Sequence, residues 1–141
     1  MSHFATLLQK HPVIFFHLCC AVAAILVGGY QLARQPRGDK AHRAWGWLWV
    51  SLMASATVSS GFIRDFGMLN VWGFTPIHLL TIFVSVMLPY AVYTARLHLV
   101  QAHRKTMKGI YWGGCIVAGF FTLVPGRFLG NLLWKHTLNI L

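Results

Sequence analysis

Acidic residues are almost absent from this sequence. The 141 residues include two acids, Asp39 and Asp65, against twelve lysines and arginines, and the formal net charge is +10. So few carboxylates exclude hydrolysis by a pair of acidic residues, and they exclude acidic calcium-binding loops. Charged residues make up 10 % of the chain and hydrophobic residues 57 %, whereas a soluble domain usually carries about a quarter charged residues. The composition therefore argues against a water-soluble globule.

Cysteine is also scarce, and its three examples are Cys19, Cys20 and Cys115. The sequence contains neither a C-x-x-C nor a C-x-x-C-H motif. Neither a structural zinc site nor a covalently attached c-type haem is therefore supported. Cysteines in apolar surroundings mostly behave as small hydrophobic residues, and we expect that role here.

Long apolar stretches dominate the rest of the chain. A bilayer core needs about 20 mostly apolar residues per helix, and four stretches meet that length. They are Pro12–Ala33, Ala44–Ile63, Thr75–Leu97 and Lys108–Pro125. The sequence therefore predicts a single all-α transmembrane domain, residues 1–141, built as a four-helix bundle. The remaining tail, Phe128–Leu141, is too short to span again and is expected at the membrane interface.

Basic residues concentrate in two of the segments that connect these stretches. The segments between helices one and two and between helices three and four hold eight of them, counting those at the segment margins. The eight are Arg34, Arg37, Lys40, Arg43, Arg96, Arg104, Lys105 and Lys108. Lysine and arginine mark cytoplasmic loops, so both segments are expected in the cytoplasm and both termini outside, in a multi-pass protein of a bacterial inner membrane. Topology thus explains the net charge, and no nucleic-acid partner is expected.

The histidines reveal an internal repeat. A shift of 61 positions superposes Ala41-His42-Arg43 on Ala102-His103-Arg104, and the same shift superposes His17 on His78. Both halves run from outside to inside and back, which makes a parallel repeat of two helical hairpins. Such repeats are related by a pseudo-two-fold axis along the membrane normal.

That symmetry predicts two histidine pairs, one near each membrane surface. His17 is expected to face His78 on the outer side, and His42 is expected to face His103 on the inner side. Zinc requires four protein or solvent ligands, whereas haem iron brings four of its own and needs axial ligands alone. The four histidines are therefore predicted to be axial ligands of haem b, with one or two haems per chain. His98 points away from the His78 face of an ideal helix, so we regard it as a reserve inner ligand only.

Small residues accompany the predicted ligands. Gly46 lies one helical turn after His42, and Ala21, Ala24 and Gly28 lie on the His17 face of helix one. These positions could admit a flat macrocycle, and they could equally allow close contact between helices. Both interpretations remain open from the sequence.

Arginines lie beside the predicted sites on both sides of the membrane. Arg43 and Arg104 directly follow the inner histidines, while Arg64 and Arg127 lie at the outer ends of helices two and four. Haem propionates require cations, so these four residues are candidates to bind them. Helix anchoring in lipid headgroups is the alternative role.

The motifs resemble those of a bacterial four-helix membrane family, DUF2306. The resemblance is carried by His17, His42-Arg43-x-x-Gly46, His78, His103-Arg104 and Thr122-Leu123-x-Pro125-x-Arg127. It covers His17 to Arg127 and implies a topology but no activity. More distantly, the two histidine pairs are similar to those of di-haem b-type cytochromes, including ascorbate-dependent ferric reductases. Those proteins have six spans, and in many of them a single helix carries ligands for both haems.

We interpret the chain as a small membrane b-type cytochrome that carries electrons across the bilayer. It would act as a transmembrane oxidoreductase of quinol- or ferric-reductase type, with quinol or another donor and an outer acceptor as partners. A homodimer or a larger membrane complex would help four helices to enclose two macrocycles.

Two alternatives remain. A site for copper or another soft metal could combine nitrogen and sulfur ligands from His17, Cys19, Cys20 and Met68. The chain could also be an assembly subunit of a membrane complex that binds no cofactor.

Overall fold

A computed structural model describes residues 12–35, 37–63 and 76–123 of the chain. Its helices are α1 (Pro12–Ala33), α2 (Lys40–Ser60), α3 (Pro76–Arg96), α4 (Val100–Ile110), a π segment (Tyr111–Val117) and α5 (Ala118–Thr122). The last three elements are continuous, and we call them together the fourth rod. No strand occurs in these three ranges, so the prediction of an all-α protein is confirmed for them.

The helices form two hairpins. Residues 34–39 join α1 to α2, and Leu97–Leu99 join α3 to the fourth rod. The starts of α2 and α4, Lys40 and Val100, nearly match the 61-residue offset of the sequence repeat. The fourth helix begins before Lys108, where the predicted span starts, because the intervening basic residues are good helix formers.

Two of the described helices are long and apolar enough to cross a membrane. These are Pro12–Ala33 and the His78–Arg96 part of α3. α2 is more polar, since Lys40 and Arg43 lie in its first turn and serines recur along it. The fourth rod likewise begins with a basic stretch.

Trp49 lies at the centre of the packed core. Its side chain is 2 % exposed, and its Nε1 donates a hydrogen bond to the backbone oxygen of Ala24 at 2.9 Å. A Cβ added at Gly28 would lie 2.5 Å from Trp49 Nε1 and 2.7 Å from the Tyr111 ring. At Ala24 and Gly28, the small residues of α1 therefore make room for side chains of neighbouring helices. Of the two interpretations left open for these two residues, the structure favours close helix contact.

Asp39 organises the turn between α1 and α2. Its carboxylate accepts two hydrogen bonds from the Arg34 guanidinium, both at 2.7 Å, and a third from the backbone N–H of His42 at 2.8 Å. It is thus both an ion-pair partner and the N-cap of α2. The Arg34 hydrogen bonds, followed by that of the His42 N–H, hold the pKa of Asp39 well below its usual range. This arrangement fixes where α2, and therefore His42, begins.

Replacing Asp39 with alanine should lower the thermal unfolding midpoint by a few degrees at neutral pH, because the helix loses its cap and Arg34 its partner. Because its pKa is lower in the folded state, Asp39 contributes to the free energy of unfolding. This contribution is fully present above the unfolded-state pKa of about 3.9, and it is lost as the pH falls through the lower folded-state value. The difference between wild type and Asp39→Ala should therefore narrow below about pH 4. Circular dichroism in detergent measures both effects. Lys40→Ala is the matched control, and equal midpoints for the two variants at pH 7 would contradict the assignment.

Candidate functional site

A cavity of about 590 Å³ opens at the end of the bundle where both hairpin turns lie. We call it the turn-end cavity. The last turns of α1 and α3, the first turns of α2 and α4, and Tyr111 of the π segment line it. Its volume falls within the range of about 300–1,000 Å³ that is usual for small-molecule sites. A second and more open groove of about 620 Å³ lies between α1 and α2 near Phe16 and Val58, and no titratable side chain lines it.

The lining of the turn-end cavity is amphipathic. Its cationic and titratable residues are Arg37, Arg43, Arg96, Arg104, His42, His98, His103 and Tyr111, and no acid is among them. The four arginines are exposed to solvent, whereas Trp49 is buried and Val50 and Met107 are half-buried. The cavity therefore combines a positively charged mouth with an apolar interior. This suits an apolar ligand that carries anionic groups at one end.

His103 lies half-buried in the wall of this cavity. Its Nδ1 is 2.9 Å from the backbone oxygen of Ala91 on α3. A carbonyl oxygen accepts but never donates, so Nδ1 carries the hydrogen, and in the neutral ring the lone pair is on Nε2. Histidines that bind metals usually have this second hydrogen bond to a carbonyl or carboxylate. His103 is thus held in the tautomer that a metal ligand needs.

His42 lines the same cavity from α2, and the structure thereby brings the two predicted inner ligands together. Burial lowers the pKa of His42, which precedes the predicted span beginning at Ala44, and the charge of nearby His103 lowers it further. A lowered pKa favours the neutral imidazole, which is the form that binds a metal. Its Nδ1 and the Oε1 of Gln31 are buried without a hydrogen-bond partner among the described residues. A buried atom in that state costs about 1–3 kcal/mol.

The outer histidines lie in a different setting. His17 Nδ1 is 2.9 Å from the backbone oxygen of Ala56 and 3.0 Å from Ser59 Oγ, both on α2. The bond to the carbonyl again assigns the hydrogen to Nδ1. His78 is half-buried near the start of α3. Neither His17 nor His78 lines the turn-end cavity or the groove between α1 and α2.

The other predicted site residues divide into two groups. Arg43, Arg104 and Gly46 line the turn-end cavity, and a Cβ at Gly46 would lie 3.6 Å from Gln31 Nε2, an ordinary contact. Arg64 and Arg127 lie outside the described residues.

None of the described residues of the predicted soft-metal site lines the turn-end cavity. Met68 lies outside the described residues, Cys19 is exposed and Cys20 is buried. Within the described ranges, no three histidine, cysteine or acidic side chains gather as a metal cluster would require.

Sequence reasoning missed several cavity residues. Gln31 had a usable signal, because it is the one amide side chain in the first predicted span. Arg37 and Arg96 were interpreted as topology markers alone. His98 was expected to point away on an ideal helix, but α3 ends at Arg96 and His98 has a positive φ of 57°, so the chain reverses direction there. It therefore reaches the cavity from the turn.

Comparison with known proteins places the chain in a family. Neither the curated proteins nor the solved structures include a significant match. The family model described as predicted membrane protein (DUF2306) matches residues 14–125. That range covers most of the chain and includes the turn-end cavity and all of the described helices except the first two residues of α1. The chain therefore belongs to the DUF2306 family of predicted membrane proteins.

Proposed function

We propose that this protein is a small membrane b-type cytochrome whose turn-end cavity binds haem b between His42 and His103. The observation that carries the proposal is the hydrogen bond from His103 Nδ1 to the Ala91 oxygen. It leaves the Nε2 lone pair of His103 available in a cavity that His42 also lines. Haem iron in b-type cytochromes can take two ligands from the protein, and His42 and His103 would be these two residues.

The remaining lining supports the same ligand. Haem b is a flat apolar ring with two carboxylates, and the cavity combines apolar walls with four exposed arginines. Arg43 and Arg104, which follow the two histidines directly, would hold the propionates. Gly46 lines the cavity one helical turn after His42. Bound haem would take up and release one electron, while the chain's own residues orient the ring, exclude water and set the potential.

Transfer across the bilayer requires a second centre near the outer surface. We assign it to His17 and His78, which would hold a second haem b. His17 has the same kind of Nδ1 bond to a backbone carbonyl as His103. Arg64 and Arg127 would serve its propionates. Electrons would pass from quinol or another reductant inside to an acceptor outside, which makes the protein a transmembrane oxidoreductase.

We also propose that all four rods span the membrane, with both termini outside and the turn-end cavity in the cytoplasm. The two rods that are less apolar by composition still present apolar side chains outward, as Val58 on α2 (64 % exposed) and Phe120 on the fourth rod (73 % exposed) illustrate. The basic residues of the two hairpin turns lie at one end of the bundle, as the positive-inside rule requires.

A reduced-minus-oxidised optical spectrum of the purified protein, expressed with ample haem, tests the proposal. We expect a b-type absorption band and a stoichiometry of one or two haems per chain. Absence of the band would refute the assignment. Metal analysis of the same sample distinguishes the alternatives, because stoichiometric copper without haem would favour the soft-metal site. A sample without any cofactor would favour an assembly subunit.

A further inference from the structure

Gln31 and His42 carry unpartnered buried polar atoms on the same cavity. Gln31 lies in the last turn of α1, and its Nε2 donates a hydrogen bond to the backbone oxygen of His42 at 2.9 Å. Because that carbonyl can only accept, the bond identifies the amide nitrogen and leaves Oε1 as an acceptor. Gln31 Oε1 and His42 Nδ1 are the two buried side-chain atoms without a hydrogen-bond partner among the described residues.

We propose that Gln31 is a positioning residue whose Oε1 accepts the Nδ1–H of His42, directly or through one water. The inference rests on the proposed haem site. When His42 binds iron through Nε2, its Nδ1 carries a hydrogen and needs an acceptor. Gln31 already holds the backbone of His42 through its Nε2, which brings the amide group onto the start of α2. The unpartnered acceptor and the unpartnered ring nitrogen thus belong to two residues that line one cavity and are already joined by a hydrogen bond.

The second hairpin supports this assignment by contrast. At the 61-residue offset, Val92 corresponds to Gln31, and it lines the same cavity without offering a side-chain acceptor. There the backbone oxygen of the adjacent Ala91 accepts the Nδ1–H of His103. Each inner histidine therefore has its own acceptor, a backbone carbonyl for His103 and a side-chain amide for His42. The two axial ligands are consequently inequivalent.

The test is a redox titration of the purified haem-loaded protein, with haem stoichiometry measured on the same samples. Loss of such a hydrogen bond typically weakens metal binding 10- to 100-fold. We expect Gln31→Leu to weaken binding of the ferric form more than the ferrous form, which raises the midpoint potential by about 59 mV for each tenfold difference. Gln31→Glu should shift the potential in the opposite direction, because a carboxylate is a stronger acceptor. Gln101→Leu, the same change at an exposed position of α4, should leave the potential unchanged.

The outcomes separate this inference from the proposed function. Wild-type protein without haem would refute the haem site itself. Haem-loaded wild type with unchanged potentials in Gln31→Leu and Gln31→Glu would overturn the role of Gln31 alone. Shifts of the same sign in both variants would overturn it as well. Should Gln31→Leu fail to accumulate in the membrane, Gln31→Glu carries the test, because it keeps the length and polarity of the side chain.

Discussion

Replacing His103 with leucine should reduce the bound haem to below roughly a tenth of the wild-type content, because haem b is held without a covalent bond and loses an axial ligand. The bundle itself should remain assembled. The substitution removes one hydrogen bond, His103 Nδ1 to Ala91 O, and such a bond contributes about 0.5–1.5 kcal/mol. Pyridine haemochrome quantification on protein purified in equal amounts measures the effect.

His98→Asn is the matched control for this experiment. His98 lines the same cavity, so its replacement disturbs the same wall. Its backbone has a φ of 57°, a conformation that asparagine tolerates better than most residues. We expect this variant to keep its haem. Retention of haem by His103→Leu, or equal loss from both variants, would contradict the assignment of His103 as an axial ligand.

Gly28→Ala should destabilise the protein by about 1–3 kcal/mol, the usual cost of overpacking a core. The added Cβ would lie 2.5 Å from Trp49 Nε1 and 2.7 Å from Tyr111, and neither ring can yield without loss of packing. Movement of Trp49 would also break its hydrogen bond to the Ala24 oxygen. Denaturant unfolding in detergent, followed by tryptophan fluorescence, reports the change.

Gly109→Ala is the same substitution at another helical glycine, and here we expect the stability to rise. Nothing lies within 4 Å of a Cβ placed at Gly109 in α4. Alanine should therefore stabilise the helix by roughly 0.5–1 kcal/mol through its lower conformational entropy. Equal stability of the two alanine variants would show that Gly28 is not a packing contact between α1 and α2.

The helices and the inner histidine pair could be predicted because they depend on local signals. Apolar stretches bounded by basic residues predict the helices, and the 61-residue repeat gives equivalent positions to His42 and His103. Both residues lie in the first turns of their helices, so small errors in helix boundaries barely change where they project. That both residues line one cavity therefore required no detailed knowledge of packing.

The sequence could not decide whether the small residues on α1 make room for a macrocycle or for a neighbouring helix. The answer depends on how each helix is rotated about its axis. At Gly28, the contacts that decide between a macrocycle and a neighbouring helix come from Trp49 and Tyr111, which lie far along the chain. The π segment also depends on contacts between residues that are distant in the sequence. Its Gly114 approaches α3 so closely that an added Cβ would lie 2.7 Å from Val84. Sequence periodicity assumes a regular helix and therefore misses this widened turn.

The packed core has an electrical consequence for the proposed electron transfer. Buried apolar side chains, among them Met53 and Ile110, lie along the helices between the level of the turn-end cavity and that of His17. No acidic side chain lies there within the described ranges to pass a proton. In the proposed transfer, an electron that moves outward unaccompanied by a proton would make the step electrogenic. An inside-negative membrane voltage would then drive it, by about 2.3 kcal/mol per 100 mV for a charge that crosses the whole bilayer.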